Sequence, residues 1–157
     1  FTIKTRSRPP LGTGNRHFTG LSHDDSMPQT SDVDNYRRLI THFREKQQLT
    51  AQRYNSYEYL ECSKETDTLL ISYGALSRIA YYFKNDFALY RPIRMFPIVE
   101  EIKIIASRYK RILIVEMNMG QYAREIERIL HREVEFIPIL GGRIDLKEIK
   151  QKIYGQK

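Results

Sequence analysis

The chain has little cysteine, no long apolar run and no secretion signal, and each absence excludes a class of protein. Cys62 is the only cysteine among 157 residues, so neither an internal disulfide nor a Cys-x-x-Cys metal site can form. No apolar stretch approaches the roughly 18 to 20 residues that a membrane-spanning helix requires. A basic, then apolar, then small-residue signal is also missing. We expect a cytoplasmic protein without a membrane segment, and any redox metal that it uses must be held by another polypeptide.

Basic residues are in excess, but they are not concentrated in one stretch. The formal net charge is +7, from 26 basic and 19 acidic residues. Two candidate helices carry several arginines, and acids such as Glu45, Glu125 and Glu127 lie between them. Mixed charges of this kind are typical of solvated helix faces. We therefore do not expect a nucleic-acid partner, although the positive charge leaves that alternative open.

The familiar catalytic and nucleotide-binding motifs are absent as well. The chain has no Gly-x-Ser-x-Gly elbow and no Walker lysine. The segment "GTGNRH" at 12–17 follows no strand and has no third glycine, so it does not make a dinucleotide fingerprint. The segment "HDD" at 23–25 has no second ligand cluster at helical or hairpin spacing, so no metal site is predicted.

The first fifth of the chain differs in composition from the rest. Residues 1–31 are rich in Pro, Gly, Ser and Thr, which favours an irregular linker. The chain begins with Phe1, so we expect a fragment of a longer chain. Ser31 is a candidate N-cap for a helix over 32–53. Its apolar stripe, formed by Tyr36, Leu39, Ile40 and Phe43, is expected to pack on an apolar surface.

From residue 66 onward, short apolar runs alternate with amphipathic segments. This pattern predicts a three-layer α/β domain over 32–157, with a mostly parallel sheet and helices on both faces. The segment "YEYLEC" at 57–62 is a candidate edge strand that could run antiparallel to its neighbour. Pro92 favours an edge or a bulge for its strand, and Pro97 is expected in the first turn of a helix. The predicted parallel strands are 68–73, 88–95, 111–117 and 134–139.

Two loops at the carboxyl edge of this predicted sheet carry candidate binding residues. Ligands of open parallel sheets bind at that edge. In "SYGALS", Gly74 and Ser77 lie at a helix start that could hold an anion, or the glycine could serve only a tight turn. In "EMNMGQY", Asn118 is a possible N-cap, which leaves Glu116 and Gln121 unexplained. The candidate site residues are Gly74, Ser77, Glu116, Asn118, Gly120 and Gln121.

The ordered set of these segments resembles a known family. Five segments resemble the C-terminal part of the alpha subunit of 2-oxoacid:ferredoxin oxidoreductases. In chain order they are "FTGLSHDD", "NYRRLITHFREKQQ", "LLISYGALSR", "RPIRMFP" and "ILIVEMNMGQY". The 2-oxoglutarate type is the nearest, and the resemblance covers residues 10–154. It implies a transketolase C-terminal-like domain. The chain departs from the family pattern at three points. It has "SMPQ" after the His-Asp-Asp stretch, it has "MFPIVEE" where the family carries Pro-Phe-Pro, and it lacks the family's thiamine-proximal N-terminal domain.

The resemblance implies oxidative decarboxylation of a 2-oxoacid with coenzyme A, with electrons passing to ferredoxin. Thiamine diphosphate, magnesium and an iron–sulfur cluster would be held mainly by a beta subunit, and none by this fragment. The edge residues would contact that subunit or the neighbouring domain, and Thr19, Gly20 and His23 would lie in the linker. No residue is assigned as a catalytic acid, base or nucleophile. The alternative is a stand-alone α/β module that binds a nucleotide or another anion at the same edge.

Overall fold

The computed structural model describes residues 10, 12–13, 20–23, 31–54 and 56–155. The chain divides into two compact units, Phe1–Gln48 and Leu49–Lys157. The predicted division at residues 31 and 32 stays a prediction. The helices are α1 (Val33–Arg53), α2 (Ala75–Ala80), α3 (Glu101–Ala106), α4 (Gln121–Leu130) and α5 (Leu146–Gly155), with a 3₁₀ turn at Tyr81–Phe83. The strands are β1 (Tyr57–Leu60), β2 (Thr68–Ser72), β3 (Ala88–Pro92), β4 (Arg111–Glu116) and β5 (Glu135–Pro138).

The sheet confirms the predicted fold class. Its strand order is β1-β3-β2-β4-β5; β1 pairs antiparallel with β3, and the other pairs are parallel. The antiparallel edge strand is therefore where the sequence placed it. The prediction of an edge position for Pro92 is wrong, because β1 pairs with the outer side of β3. The alternative of a bulge agrees with the hydrogen bonds directly after Pro92, where the N–H groups of Ile93 and Arg94 both donate to the Ser56 carbonyl oxygen. Pro92 is tolerated as the last residue of that strand.

Apolar side chains fill both faces of the sheet. On one face, Ile102, Ile105 and Ile126 bring α3 and α4 against the sheet, and on the other face, Leu76 and Ile149 bring α2 and α5. All five residues of β2 are buried, as expected for a strand covered on both sides. Helices on both faces of a mostly parallel sheet make the three predicted layers. Within the described part of the chain, no helix is long and apolar enough to cross a membrane.

Two details of α1 differ from the prediction. Its first turn is capped by Asp32, whose carboxylate oxygen accepts a hydrogen bond of 2.8 Å from the Asn35 backbone N–H, and not by Ser31. The predicted burial of the apolar stripe is wrong for three of its side chains. Tyr36, Ile40 and Phe43 are 55%, 46% and 47% exposed. The helical periodicity was correct, but it did not reveal which side of the helix packs.

The starts of two later helices also differ from the prediction or refine it. Helix α3 begins at Glu101 and not at Pro97, because the chain bends at residues 96–97 and enters a turn only at Glu100. At α5, Asp145 accepts a 2.8 Å hydrogen bond from the Lys147 N–H, as a cap should. The spacing of Asp145 and Glu148 in the sequence predicts a capping box, but its reciprocal half is not used, since Glu148 pairs with Lys152 at 2.7 Å. Helix α5 runs to Gly155.

Candidate functional site

The two candidate loops lie side by side at the point where the strand order reverses, since β3 lies on one side of β2 and β4 lies on the other. Strands β2 and β4 are neighbours and run parallel, so the loops that follow them share the carboxyl edge. Helix α2 then crosses one face of the sheet and α4 crosses the other. Ligand crevices of open α/β sheets open at such a switch point. The sequence-predicted residues of both loops are therefore brought to the expected location.

Glu116 is the most deeply buried of the predicted residues. It is 1% exposed, and its carboxylate accepts hydrogen bonds from the backbone N–H groups of Tyr122 at 3.3 Å and Ala123 at 3.1 Å. These are among the first N–H groups of α4, which have no partner within the helix. The Tyr73 hydroxyl donates a third bond of 2.7 Å to the same carboxylate. A carboxylate from the end of β4 thus caps the helix that follows it.

Asn118 and Gln121 complete the internal bonding of this loop. The Asn118 side-chain oxygen accepts from the N–H groups of Gly120 at 2.8 Å and Gln121 at 3.3 Å. Its amide nitrogen donates to the Tyr73 hydroxyl at 2.8 Å. The Gln121 side-chain oxygen accepts from the Met119 N–H at 3.0 Å. Asn118 therefore holds the turn before α4, while Glu116 has the larger share of capping the helix itself.

Tyr73 joins the two loops and was missed as a site residue in the sequence. It follows β2 directly and is 43 residues from Glu116, so only the strand order brings the two side chains together. Burial raises the pKa of the Tyr73 hydroxyl, and the hydrogen bond to Glu116 raises the same pKa further. Burial also raises the pKa of Tyr122, whose ring meets the Tyr73 ring edge-on at 5.2 Å. Both hydroxyls therefore stay protonated, and Tyr73 acts as a donor to Glu116.

The residues of the β4–α4 loop alternate between the interior and the surface. Glu116 and Asn118 turn inward to the hydrogen bonds described above. Met117 and Met119 turn outward and are 39% and 70% exposed. Sequence reasoning chose the polar residues and passed over the methionines. The only available signal was the alternation of "EMNMG" directly after a strand.

Gly120 is required by the backbone of this loop. Its φ is +87°, a left-handed conformation that side chains with a Cβ disfavour. A Cβ at this position would lie 3.2 Å from the Phe136 ring in β5. The glycine thus permits both the turn and the close packing of the loop on the neighbouring strand.

The loop after β2 is built more simply. Gly74 has φ +58°, and a Cβ there would meet no heavy atom within 4 Å. Ser77 is 3% exposed, and its hydroxyl donates a 2.7 Å hydrogen bond to the Gly74 carbonyl. The Ser77 N–H donates to the same oxygen at 3.2 Å. These contacts are those of a tight turn, and none of them favours an anion-binding site.

The predicted linker residues belong to the other compact unit. Thr19 lies outside the described residues. Gly20 and His23 are exposed, and the His23 Nδ1 lies 3.1 Å from the Leu21 carbonyl oxygen. Their assignment to an interdomain linker stays a prediction.

Arg94 is a second structural residue that sequence reasoning missed. Its guanidinium donates to the carbonyl oxygens of Tyr54 at 2.5 Å and Ala51 at 3.5 Å, close to the C-terminus of α1, and to that of Pro97. Cationic groups stabilise the carbonyl end of a helix. Within the segment "RPIRMFP", Arg94 therefore links the end of α1 to the β3–α3 loop.

The described residues do not form a metal site. No group of three or more His, Cys, Asp or Glu side chains in that part of the chain is placed to hold a metal ion. Cavities of about 240 Å³ and 280 Å³ lie beside α2 and between α3 and α4. Neither is lined by residues of the β4–α4 loop. At the switch point itself, the Tyr73, Glu116 and Asn118 side chains bind one another.

Comparisons with known proteins place these observations beside named relatives. No protein-family model matches the chain. It is 33% identical over 152 residues to the 2-oxoglutarate synthase subunit KorA of Methanothermobacter thermautotrophicus, covering 89% of this chain and 40% of that protein. The subunit of the same name from Methanothermobacter marburgensis is 33% identical over 163 residues, covering 95% of this chain and 43% of that protein. The chain thus spans less than half the length of these curated relatives.

A solved structure has the same fold. The 2-oxoglutarate:ferredoxin oxidoreductase from Magnetococcus marinus, determined with 2-oxoglutarate, coenzyme A and succinyl-CoA bound, matches with a TM-score of 0.70. The match covers 95% of this chain and 28% of that chain, at 17% sequence identity. At this identity the likeness establishes the fold.

Proposed function

We propose that this chain is a domain of the alpha subunit of a 2-oxoglutarate:ferredoxin oxidoreductase. The observation that carries the proposal is the similarity to KorA subunits at 33% identity, which extends over 89% to 95% of the chain. The fold shared with the Magnetococcus marinus oxidoreductase supports it. The reaction of the whole complex would convert a 2-oxoacid and coenzyme A to an acyl-CoA and carbon dioxide and reduce ferredoxin. We assign no catalytic acid, base or nucleophile to this domain.

We propose that the domain serves to dock its partners and to shape the active-site cleft. Its docking surface is the carboxyl edge of the sheet, where Met117, Met119 and Gln121 are presented on a loop held from inside by Glu116. Methionine side chains adapt to varied apolar partners. A rigid loop also loses little conformational entropy on binding. The partners would be the beta subunit and the N-terminal domain of the alpha subunit.

The cofactors of such a complex do not fit the residues of this domain. An iron–sulfur cluster requires several thiolates, and Cys62 is the only cysteine. The described residues offer no cluster of carboxylates or imidazoles for the magnesium ion that accompanies thiamine diphosphate. We therefore assign the thiamine diphosphate, the magnesium and the cluster to the other parts of the complex, and derive no step through them.

The test is assembly with the remaining parts of the oxidoreductase from the same genome. The tagged chain is co-expressed with these parts, and two quantities are measured: recovery of the beta subunit, and coenzyme-A-dependent reduction of ferredoxin by 2-oxoglutarate. We expect the beta subunit to be recovered with the chain. Gln121→Ala and Met119→Ala should each weaken recovery or turnover, while the free energy of unfolding changes by less than about 1 kcal/mol.

Ile104→Ala is the matched control, because Ile104 is 64% exposed on α3, away from the docking loop. Failure to recover the beta subunit would contradict membership of the complex. Unchanged recovery and turnover in both loop variants would contradict the docking role alone. A rise in the melting temperature of the isolated chain with coenzyme A or a nucleotide would favour the alternative, a stand-alone binding module.

A further inference from the structure

Helix α1 exposes a row of large apolar side chains along one side. Val33, Tyr36, Ile40 and Phe43 are 61%, 55%, 46% and 47% exposed. Their spacing of three, four and three residues places them on a single stripe of the helix, as in the a and d positions of a heptad. Isolated exposed apolar residues are common, but an aligned row of this size marks an interaction surface. We call these four residues the α1 stripe.

The less exposed side of the same helix is a different one. Asn35 is 6% exposed, and Leu39 and His42 are partly buried. At about 100° per residue, these three residues lie roughly a third of a turn around the helix from the α1 stripe. The less exposed side of the helix thus carries an amide and an imidazole, while a tyrosine, an isoleucine and a phenylalanine lie on the more exposed side. This distribution is the reverse of the usual one for a helix with a single packed side.

We infer that the α1 stripe docks on a companion subunit of the oxidoreductase, in an apolar groove or along an apolar helix with carboxylates on one rim. This inference rests on the proposed function. The charge beside the stripe carries the choice of partner. Arg37 and Arg44 lie seven residues apart along one flank, and both are exposed. The Asp34 carboxylate lies 3.2 Å from the Arg37 guanidinium, so Arg44 is the stronger basic determinant.

A second copy of this chain is a poorer match for that flank. In an antiparallel pair of α1 stripes, the flanks with Arg37 and Arg44 face each other, which is repulsive. In a parallel pair, Arg44 faces Leu39 of the other copy. Neither arrangement places a carboxylate of the helix opposite Arg44. A lipid surface is also a poorer match, because helices that lie on anionic membranes have polar faces rich in Lys and Arg, whereas Asp34 and Glu45 interrupt this one.

The experiment measures binding of the purified chain to the immobilised beta subunit by biolayer interferometry. The double variant Ile40→Asp, Phe43→Asp should weaken the dissociation constant at least about tenfold, since it places two charges in an apolar contact. Arg44→Glu should weaken it by about threefold or more, and the wild-type affinity should fall as salt increases. The control variant Arg38→Asp lowers the net charge by the same two units at an exposed position on the side of α1 opposite the stripe, and it should bind as the wild type does.

Folding of each variant is checked by circular dichroism and melting temperature, because an unfolded variant would mimic lost docking. Wild-type chain that does not bind the beta subunit overturns the inference together with the proposed function. Wild-type binding that the stripe variants leave unchanged overturns the inference alone. A wild-type dimer that the stripe variant converts to monomer, or stripe-dependent binding to phosphatidylserine vesicles, assigns the stripe to another partner and also overturns it.

Discussion

The loops after β2 and β4 occupy equivalent positions in the sheet but are stabilised in different ways. The loop after β2 is closed by Ser77, which bonds to the carbonyl of a residue three positions earlier. The loop after β4 is closed around Glu116, whose third hydrogen bond comes from Tyr73, 43 residues away. One loop therefore depends on local contacts, and the other depends on the assembled sheet.

This difference explains why the first loop is a plain turn and the second presents a surface. A local turn needs only a glycine and a hydroxyl. The second loop holds its polar groups inward on a buried carboxylate, so that its methionines face outward at fixed positions. Buried, fully bonded polar networks specify a single conformation. The predictions below separate the two loops by the stability that each loses when its bond is removed.

The largest effect is expected for Glu116→Gln. The amide replaces one carboxylate oxygen with an NH₂ group, while the Tyr73 hydroxyl and two backbone N–H groups still require acceptors at this 1% exposed site. We expect the free energy of unfolding to fall by about 2 to 3 kcal/mol. Urea unfolding followed by circular dichroism measures this change.

Glu133→Gln is the matched control, because Glu133 is exposed and undergoes the same chemical change. Its unfolding free energy should stay within about 0.5 kcal/mol of the wild-type value. If Glu116→Gln cost no more than this control, the buried carboxylate would not be what organises the second loop, and the contrast between the loops would disappear.

The sequence predicted the location of this network but not its chemistry. The alternation of strands and helices was sufficient to bring Glu116 and Gly74 to one edge, because periodicity determines which segments form the sheet. The strand order was not readable, so the contact of Tyr73 with Glu116 was missed. Asn118 was interpreted as the cap for the same reason. A local sequence pattern suggests a residue next to the helix as its cap, whereas in the fold the buried Glu116 carboxylate at the end of β4 caps α4.

A smaller loss is expected for Tyr73→Phe. Phenylalanine keeps the ring against Tyr122 but removes the hydroxyl that donates to Glu116 and accepts from Asn118. We expect a loss of about 1 to 2 kcal/mol in the free energy of unfolding. The double variant with Glu116→Gln should lose less than the sum of the two single changes, because the residues share a bond.

Tyr82→Phe, at a side chain that is 68% exposed, removes the same hydroxyl outside the network and should be neutral. Strict additivity of Tyr73→Phe and Glu116→Gln in urea unfolding would contradict the coupling of the two loops. In that case each loop would be an independent turn that happens to lie at the same edge.

The smallest effect is expected for Ser77→Ala in the first loop. The change removes the 2.7 Å hydrogen bond to the Gly74 carbonyl, but that oxygen still accepts from the Ser77 N–H. We expect a loss of about 0.5 to 1 kcal/mol. Ser107→Ala is a close control, since the Ser107 hydroxyl makes the same kind of bond to Ile104, 2.9 Å long and exposed to solvent. A loss of unfolding free energy for Ser77→Ala as large as that for Glu116→Gln would show that the first loop is also held by more than a local bond. Removing the Ser77 hydroxyl alone does not account for such a loss, because the Gly74 carbonyl oxygen keeps its hydrogen bond from the Ser77 N–H.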